Sequence, residues 1–457
     1  MISRRIFTLV LVILDTVCLL TVFNVLAWVR GIASPEGLIL STLGIPALFL
    51  YIALYLIEGY NIRADMMSLT YTSEHGIALV ATMLFTLLVT FVVIPGGYPL
   101  QSSRAVIALG YLALIPITLG YRRMLHARVL ATRKQRYFLF LGDPASCAQF
   151  DLECKQSGLQ QRVLYSTFEN FPTGKTVDDY ASMPQVGSAL EYLKEHDGSL
   201  DAIILRETSR QLPPAVADRL LEMHFSGVPT YTLELFHQLF WRKIPIYRLN
   251  QIWIFQEGFQ IAREPVFERL KRVSDIIFAL IGLTVATPII VIAAIFIKLE
   301  DGGEVFFRQT RVGRSRHPFQ LLKLRSMRTA KLGDDLYTRP GDKRITRIGD
   351  FLRKTRLDEV PQLWNVLRGD MSLIGPRAEW SKLVEEYEKK IPCYHFRHLV
   401  KPGITGWAQV NFTYGDSLED TIRKLEYDLY YIRHFSFVID ASIVLKTIHI
   451  MLFGKGR

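Results

Sequence analysis

Five uncharged apolar runs constrain this chain more strongly than any other feature of its sequence. Four of them lie in the first third of its 457 residues, at 16–29, 37–57, 76–94 and 105–121. A helix that crosses a bilayer needs about 20 apolar residues. We therefore predict a membrane protein with a four-helix transmembrane bundle over residues 1–136. Asp15 lies inside the first predicted span, and two interpretations stay open: a functional charge, or a charge that faces the bundle and pairs with a neighbour.

Basic residues predict how this bundle is oriented. Arg4 and Arg5 precede the first run, and six more basic residues lie between Arg122 and Arg136. An even number of spans places both groups on one side, and the positive-inside rule makes that side the cytoplasm. We therefore expect a multi-pass protein whose later domains face the cytoplasm.

The net charge of +11 is unevenly distributed along the chain. Residues 1–136 have a net charge of +6, residues 137–264 of −5 and residues 265–457 of +10. This division argues against a simple integral transporter. A transporter is also expected to have paired polar residues in many of its spans. The four cysteines are scattered, so we predict neither a disulfide framework nor a structural zinc site.

A change of pattern at Tyr137 predicts a small cytosolic α/β domain over 137–235. The runs YFLFLGD, LDAIILRE and GVPTYTL are typical of buried strands, and a helix is expected at 145–157, so we predict a Rossmann-like domain with a parallel sheet. Its first turn lacks the G-x-G-x-x-G fingerprint, which favours a binding or assembly role over a nicotinamide site. Residues 236–265 form a linker that fits an interfacial segment, a strand or a packed connection.

The fifth apolar run, 276–297, predicts a re-entrant membrane helix over about 272–299. Basic residues flank the run on both sides, which places both of its ends in the cytoplasm. Thr287 and Pro288 lie at its midpoint, where we expect the helix to break. Proline removes a helical hydrogen bond, and the threonine hydroxyl helps to satisfy the freed backbone groups. A kinked helix that crosses the bilayer is the alternative.

The densest chemistry lies in a mainly α-helical domain over 266–457. Between residues 298 and 328, eight basic residues accompany three acidic ones. Anionic membrane lipid, a phosphorylated ligand and nucleic acid all fit such a surface. Nucleic acid is discounted, because no motif of a nucleic-acid-binding domain accompanies the charge.

Asp358 and Glu359 are the candidate catalytic residues. They lie just ahead of Pro361, and proline is favoured in a first helical turn, so both carboxylates are expected at a helix N-terminus, where phosphate is also favoured. A plain acidic helix cap is the alternative. The surplus of neighbouring cations favours a phosphoryl substrate. An ionised aspartate can attack phosphorus to form an acyl phosphate, and a neighbouring acid can help to hold Mg²⁺.

Three long motifs resemble those of one family. FQLLKLRSM, RLDEVPQLWNVLRGDMSLIGPR and VKPGITGWAQVN occur in this order and are similar to motifs of the bacterial sugar transferase family. Its members are monotopic polyprenyl-phosphate hexose-1-phosphate transferases that start exopolysaccharide, capsule and O-antigen synthesis. The resemblance covers about Arg269 to the C-terminus. The bundle and the α/β domain resemble the large members, which transfer glucose or galactose phosphate to undecaprenyl phosphate.

The resemblance implies a ping-pong transferase in the bacterial inner membrane. A UDP-sugar binds with Mg²⁺, Asp358 attacks the sugar-linked phosphate, and UMP leaves. Polyprenyl phosphate then takes the phosphosugar from the enzyme. Glu359 is implied as the partner acid, and either carboxylate of the pair as a magnesium ligand. The family analogy also implies a homodimer. The other hypothesis is a membrane assembly or regulatory protein of polysaccharide synthesis that has lost this activity.

The same resemblance implies a set of phosphate-binding cations. They are Lys323, Arg325, Arg356 and Arg377. The family's Pro-Arg-Pro motif reads Pro376-Arg377-Ala378 here, which keeps the arginine and changes the restraint on the local turn.

The remaining motifs are weaker. The turn that contains Trp407 fits either a structural loop or a substrate contact, with the indole at the membrane interface. His395, His398, His434 and His449 lack triad partners, so we predict structural roles for them. The apolar run 437–453 predicts a helix that packs on the domain or lies in the interface.

Overall fold

The computed structural model describes most of the chain, and the helices and strands given below lie within the described residues. The described residues are 4–32, 41–61, 64–94, 99–133, 137–156, 159, 162–166, 184, 189–195, 200–206, 213–246, 265–328, 342, 344–412, 415 and 417–453. The chain divides into two compact units, Met1–Arg242 and Lys243–Arg457.

The first unit begins with four helices. They are α1 (Arg4–Val29), α2 (Gly44–Leu56), α3 (Leu69–Leu88) and α4 (Arg104–Arg133). By length and composition, α1, α3 and α4 can each cross a membrane, as predicted. Helix α2 has 13 residues, fewer than the 17 or so that a crossing needs, and residues 37–40 of the predicted second span lie outside the described part.

Asp15 is a bundle-facing charge with a partner on another helix. Its carboxylate is fully buried and binds both terminal nitrogens of Arg122, at 2.7 and 2.8 Å. Tyr60 donates a hydrogen bond to the same carboxylate at 2.8 Å, and Tyr121 also donates to it. The pairing interpretation of Asp15 is therefore confirmed, and the pair joins α1 to α4 inside the bundle.

A four-stranded parallel sheet follows, with strand order β2-β1-β3-β4. The strands are β1 (Tyr137–Leu141), β2 (Arg162–Ser166), β3 (Leu200–Leu205) and β4 (Thr230–Thr232). The helices between and after them are α5 (Pro144–Gln156), α6 (Ala189–Glu195), α7 (Pro214–Phe225) and α8 (Leu233–Phe236). Phe138 and Phe140 pack on one face of β1, and Leu139 and Leu141 on the other. The sheet is thus buried on both faces, as parallel sheets generally are.

The predicted linker 236–265 is described as far as Ile246. A π-helical turn, His237–Trp241, continues α8. Ile244 and Ile246 are buried in the core of the second unit. Of the three interpretations of the linker, the packed connection therefore fits residues 236–246, and residues 247–264 lie outside the described part.

The second unit combines one long helix with two strand pairs and several shorter helices. The strands are β5 (Phe306–Val312) and β6 (Pro318–Leu324), which pair antiparallel, and β7 (Ser372–Ile374) and β8 (Gly403–Thr405), which pair parallel. The helices are α9 (Pro265–Asp301), α10 (Arg347–Lys354), α11 (Gln362–Arg368), α12 (Ser381–Lys390), α13 (Trp407–Asn411), α14 (Leu418–Arg433) and α15 (Phe437–Phe453).

Helix α9 contacts the rest of this unit near both of its ends. Ala279 is buried against Val366, whereas Ala293 and Ile297 are buried against Leu324 and Leu352. Its opposite face is apolar and exposed, at Phe278, Val285 and Ile292 among others. Small and aliphatic residues on one side thus bind the helix to the domain, and large apolar residues cover the other side.

The prediction that the helix breaks at Thr287 and Pro288 is wrong, because the helical secondary structure continues through both residues. Helix α9 runs without interruption from Pro265 to Asp301, with Pro288 inside it. The Thr287 hydroxyl donates to the carbonyl oxygen of Leu283 at 2.7 Å, a bond that often bends a helix. Helical bonds on either side of one proline, together with the packing of both halves, are enough to carry the helix past it. By length and composition α9 is also able to cross a membrane, and the re-entrant path stays a prediction.

Candidate active site

Three segments of the second unit meet at the predicted acidic pair. Strand β6 carries Lys323, the turn between α10 and α11 carries Asp358 and Glu359, and the loop after β7 carries Arg377. Lys323 Nζ lies 2.7 Å from Glu359 Oε1, and Arg377 Nη2 lies 3.6 Å from the same oxygen. The structure thus brings together four of the six residues predicted from the sequence as catalytic or substrate-binding.

Helix α10 is fixed at its start against the end of strand β6. The Thr346 side chain accepts a hydrogen bond from the backbone N–H of Gly349 at 2.9 Å, a typical N-cap. A Cβ atom at Gly349 would lie 1.9 Å from the carbonyl oxygen of Ser326, so only glycine permits this approach. Glu300, near the end of α9, accepts a further bond from the N–H of Arg347 at 2.8 Å.

A sharp turn presents the acidic pair. Arg356 ends the preceding segment in the left-handed region, with φ 57°, and the next three residues form a single 3₁₀ turn, Leu357–Glu359. The N-cap of α11 is Pro361, and no side chain caps that helix end. The alternative of a plain acidic cap is therefore wrong: both carboxylates precede α11 without capping it.

Glu359 is held ionised by the surrounding cations. Burial alone raises the pKa of a carboxyl group, but Lys323 and Arg377 outweigh that effect and lower the pKa of Glu359 to about 2. Burial in turn lowers the pKa of Lys323, and Glu359 opposes this. At 2.7 Å the two groups form a largely buried ion pair.

Asp358 has a different environment. Asp358 is only 9% exposed, and burial raises the pKa of its carboxyl group. Lys323 and Arg353 lower that pKa and Glu359 raises it further. Of the two neighbouring acids, one is thus stabilised in its charged form and the other is partly desolvated, which is a common way to divide the roles of two carboxylates.

Asn365 joins α11 to the strand that carries Lys323. Its Nδ2 donates to the carbonyl oxygen of Gln320 at 2.7 Å, and its Oδ1 accepts from the N–H of Leu322 at 3.0 Å. One amide side chain therefore replaces a neighbouring strand along β6. The sequence analysis did not identify this residue. The only signal was a polar residue among apolar positions of a short helix.

The two other predicted cations lie elsewhere or point to solvent. Arg325 pairs with Asp301 at the end of α9, and a Cβ atom at Gly303 would collide with its guanidinium group. Arg356 is exposed and lowers the pKa of Glu359 from a distance. The structure adds Arg311, which acts electrostatically on Glu359 and whose own pKa is lowered to about 10 by burial.

Glycines bring the Arg377 loop close to strand β8. A Cβ atom at Gly403 would lie 2.1 Å from the N atom of Gly375, and one at Gly406 would lie 2.1 Å from its carbonyl oxygen. Backbone contact at this distance is possible only without side chains. The glycines of the motif KPGITGW therefore have a structural role next to the site.

Trp407 is in the core, so the predicted interfacial position is wrong. Its residue is 2% exposed, and its ring stacks on Tyr430 with the centroids 6.0 Å apart. His398 and His449 are buried, and burial lowers the pKa of His398 to about 3. Helix α15 packs through Ile439 and Ile443 and leaves an apolar outer face, as predicted for the run 437–453.

Two adjacent carboxylates, those of Asp358 and Glu359, are the candidate metal donors of the site. The described part of the chain contains no cluster of three His, Cys, Asp or Glu side chains that would hold a metal. Among the described residues, Lys323 and Arg377 approach Glu359 at Oε1, and the Asp358 carboxylate belongs to the neighbouring residue. Mg²⁺ commonly takes one or two carboxylates and completes its shell with substrate phosphate and water.

Comparison with known proteins places these residues in a recognised domain. Residues 266–454 match the family described as bacterial sugar transferase. The chain is 45% identical over 193 residues to the UDP-N-acetylgalactosamine-undecaprenyl-phosphate N-acetylgalactosaminephosphotransferase of Aeromonas hydrophila, covering 42% of this chain and 46% of that protein. It is 44% identical over 183 residues to the UDP-glucose:undecaprenyl-phosphate glucose-1-phosphate transferase of Escherichia coli (strain K12), covering 39% of each. The chain thus matches less than half of the length of either protein.

A shorter relative is matched almost throughout. The exopolysaccharide production protein PSS of Rhizobium leguminosarum bv. phaseoli is 41% identical over 195 residues, which are 41% of this chain and 98% of that protein. A stretch of 195 residues of this chain therefore spans nearly the whole of that relative.

Proposed function

The chain belongs to the bacterial sugar transferase family, and we propose that it transfers a hexose-1-phosphate from a UDP-sugar to polyprenyl phosphate. The products are UMP and a polyprenyl-diphosphate sugar, the first lipid-linked intermediate of a surface polysaccharide. The observation that carries the proposal is the acidic pair with its two cations: a desolvated Asp358 beside a Glu359 that Lys323 and Arg377 hold ionised.

The proposed reaction has two displacement steps. An Asp358 carboxylate oxygen attacks the phosphorus that carries the sugar, the bond from that phosphorus to the bridging oxygen breaks, and UMP leaves with the electron pair. A phosphate oxygen of the polyprenyl phosphate then attacks the same phosphorus, and Asp358 leaves as a free carboxylate. Its partial desolvation supports this role, because a weakly solvated carboxylate is a better nucleophile than a hydrated one.

The cations bind and stabilise the phosphoryl oxygens in this scheme. Arg377 is 41% exposed on its side chain and can turn towards a bound diphosphate, to which a guanidinium group binds through two parallel hydrogen bonds. Lys323 is more buried, and its positive charge acts on both Asp358 and Glu359. Its fixed charge is suited to stabilise the transferring group as negative charge develops.

The carboxylates of Asp358 and Glu359 would hold Mg²⁺ together with the diphosphate. The ion would offset the negative charge of the phosphates and orient them towards Asp358. Glu359 keeps its charge throughout the physiological pH range, since its pKa is about 2, and so it is suited to hold a cation at any working pH.

We propose a re-entrant path for α9, with the second unit on the cytoplasmic face of the inner membrane. Near the start of the helix, Asp275 accepts hydrogen bonds from Ser372 Oγ and from the N–H of Leu373, at 3.1 and 3.0 Å. Near its end, Glu300 binds the N-terminus of α10. A straight crossing would separate the two ends by a hydrocarbon layer of about 30 Å. The two contacts with one compact unit support a helix whose ends lie on one side.

The decisive experiment measures UMP release. The full chain in detergent is supplied with Mg²⁺, polyprenyl phosphate and a panel of UDP-sugars. We expect release with at least one sugar, and a loss of at least about 10³-fold in Asp358→Asn. Asp350→Asn is the matched control, because this aspartate lies on the exposed surface of α10 and pairs with Lys354.

Two results would contradict the proposal. One is the absence of UMP with every sugar, and the other is unchanged release by Asp358→Asn. A labelled phosphosugar should also remain on the protein when polyprenyl phosphate is omitted, and should be missing from Asp358→Asn.

A further inference from the structure

The loop that carries Arg377 is held by its backbone carbonyl groups. Four successive carbonyl oxygens, from Pro376 to Glu379, each accept a hydrogen bond from outside the loop. The outer two are bound by backbone: Gly403 N–H donates to Pro376 O at 2.9 Å, and Val312 N–H donates to Glu379 O at 3.1 Å. These bonds come from strands β8 and β5 on the two sides of the loop.

Two arginine side chains bind the inner pair of carbonyls. Arg397 Nη2 donates to Arg377 O at 3.0 Å, and Arg311 Nη1 donates to Ala378 O at 2.9 Å. The side chains of both arginines are largely buried, at 5% and 15% exposed. Burying a charged group is costly unless it is paired and hydrogen-bonded, and both arginines direct a terminal nitrogen to the loop, so these bonds restrain its backbone conformation.

Arg397 is itself oriented by helix α14. Its Nη2 lies 2.8 Å from Asp428, whose side chain is 2% exposed, and its Nη1 donates to the Tyr394 hydroxyl at 2.6 Å. A chain of buried contacts therefore runs from Asp428 through Arg397 to the backbone of Arg377. It reaches Arg377 on the main-chain side and leaves the guanidinium group directed at Glu359.

The sequence of the loop makes this support significant. A proline at position 378 would fix the φ angle of that residue, whereas Ala378 leaves it free. The backbone at Ala378 is held here by the bond from Arg311, and its methyl group is packed in an apolar cluster with Val366 and Met371. Neighbouring side chains thus restrain the backbone at residue 378, which a proline there would restrain by itself.

We propose that Arg397 and Arg311 are positioning residues, which fix the backbone of the 376–379 loop so that the Arg377 guanidinium group meets the diphosphate of the substrate. The proposal rests on the proposed function, since it assigns these arginines a role in the affinity of the same site for a uridine nucleotide. Neither arginine touches the substrate in this arrangement. Their effect passes through Arg377.

The test separates positioning from a merely structural role. Arg397→Met alone leaves Asp428 buried without a partner and is expected to destabilise the fold. The double variant Arg397→Met/Asp428→Leu removes both charges and should recover stability, because replacing a buried pair by apolar residues is often neutral. If Arg397 serves stability only, the double variant regains UDP affinity along with its fold.

The matched control is a second ion pair that includes an acidic residue of helix α14. Lys243 lies 3.1 Å from Glu426, each with 12% of its side chain exposed. The control variant is Lys243→Met/Glu426→Leu. All variants are full chains in detergent. They are compared by amide hydrogen exchange over residues 374–380, by binding of UDP in the presence of Mg²⁺, and by the KM and kcat of UMP release.

We expect faster exchange over 374–380 in Arg397→Met/Asp428→Leu, at least about tenfold weaker UDP binding, and a KM that rises more than kcat falls. The control should change none of these. Unchanged exchange in the double variant would overturn the proposal, and so would faster exchange with wild-type UDP affinity. If the wild-type chain releases no UMP with any sugar, the proposed function fails, and the exchange measurement still decides whether Arg397 holds the loop.

Discussion

Lys323 Nζ lies 2.7 Å from Glu359 Oε1, and each of these side chains is about one-sixth exposed. The contact joins strand β6 to the 3₁₀ turn that presents the acidic pair. The charge of Lys323 acts on both acids, since it lowers the pKa of Glu359 and opposes the rise in the pKa of Asp358. One cation therefore favours the ionised form of two neighbouring carboxylates.

Lys323→Met should move the acid limb of the pH–rate profile to higher pH. Without the positive charge, burial raises the pKa of Asp358 further, so a higher pH is needed to ionise the proposed nucleophile. At neutral pH we expect kcat for UMP release to fall by about 10²-fold or more, as is typical for the loss of one charge-stabilising group. The measurement is kcat between pH 5 and 9.

Lys354→Met provides the comparison for that profile. Lys354 is exposed and pairs with Asp350 one helical turn away, so its loss should leave both the rate and the acid limb in place. An acid limb that stays at its wild-type position in Lys323→Met would show that this cation does not govern the ionisation of Asp358.

Asp358→Asn should abolish transfer and stabilise the fold at neutral pH. Burial raises the pKa of this carboxyl in the folded chain above its ordinary value of 3.8, so the folded state binds the proton more tightly. The contribution of this carboxyl to stability is then greatest below about pH 3.8 and is lost as the pH rises through the folded-state pKa. The neutral amide avoids this loss.

The midpoint of thermal unfolding tests the point at several pH values. We expect Asp358→Asn to unfold at a higher temperature than the wild type at pH 7, with a difference of a few degrees for about 1 kcal/mol, and the difference should shrink as the pH is lowered towards 4. An equal difference at all pH values would indicate a packing effect instead of the desolvation of a charge.

Much of this architecture could be predicted from the sequence, because the relevant signals are local. The runs 76–94 and 105–121 predict helices by their length and composition, and the unbroken apolar run of β1 predicts a strand that is buried on both faces. Asp358 and Glu359 could be found because their motif is contiguous. The turn that presents the two acids is formed by residues less than ten positions away in the sequence, among them Arg356 and Pro361.

The remainder depends on contacts between distant residues. Helix α9 continues through Pro288 because both of its halves pack on the same unit, at Ala279 and Ala293. Arg325 is diverted from the acidic pair by Asp301, 24 residues earlier. Trp407 is buried because Tyr430 covers it. No local sequence pattern encodes contacts between residues so far apart. The continuity of α9, the pairing of Arg325 and the burial of Trp407 could therefore not be predicted from residue type and spacing.

The bundle offers a test of the buried pair between Asp15 and Arg122. Arg122→Met leaves the Asp15 carboxylate buried without its partner and should lower stability by about 3–5 kcal/mol. Asp15→Leu/Arg122→Met removes both charges and should unfold close to the wild type. Thermal unfolding of the three chains in one detergent decides the matter. Equal destabilisation of the single and double variants would mean that the pair itself, and not the stranded charge, determines the stability of the bundle.

Asn365→Leu should separate helix α11 from strand β6 and slow the proposed transfer. The substitution keeps the size of the side chain but leaves Leu322 N–H and Gln320 O without the partners they have at 3.0 and 2.7 Å. Each unsatisfied buried backbone group costs about 1–3 kcal/mol. Since β6 carries Lys323 and the turn before α11 carries the acidic pair, a small shift between them also lengthens the contact from Lys323 to Glu359.

We therefore expect Asn365→Leu to lower the unfolding midpoint and to move the acid limb of UMP release towards that of Lys323→Met. Arg368→Gln, on the exposed side of the same helix beside Asp370, should do neither. The shift of the acid limb is the informative result, because a residue that only stabilises the fold would reduce the amount of active protein without changing its pH profile. A destabilised Asn365→Leu with a wild-type profile would confine this residue to a structural role.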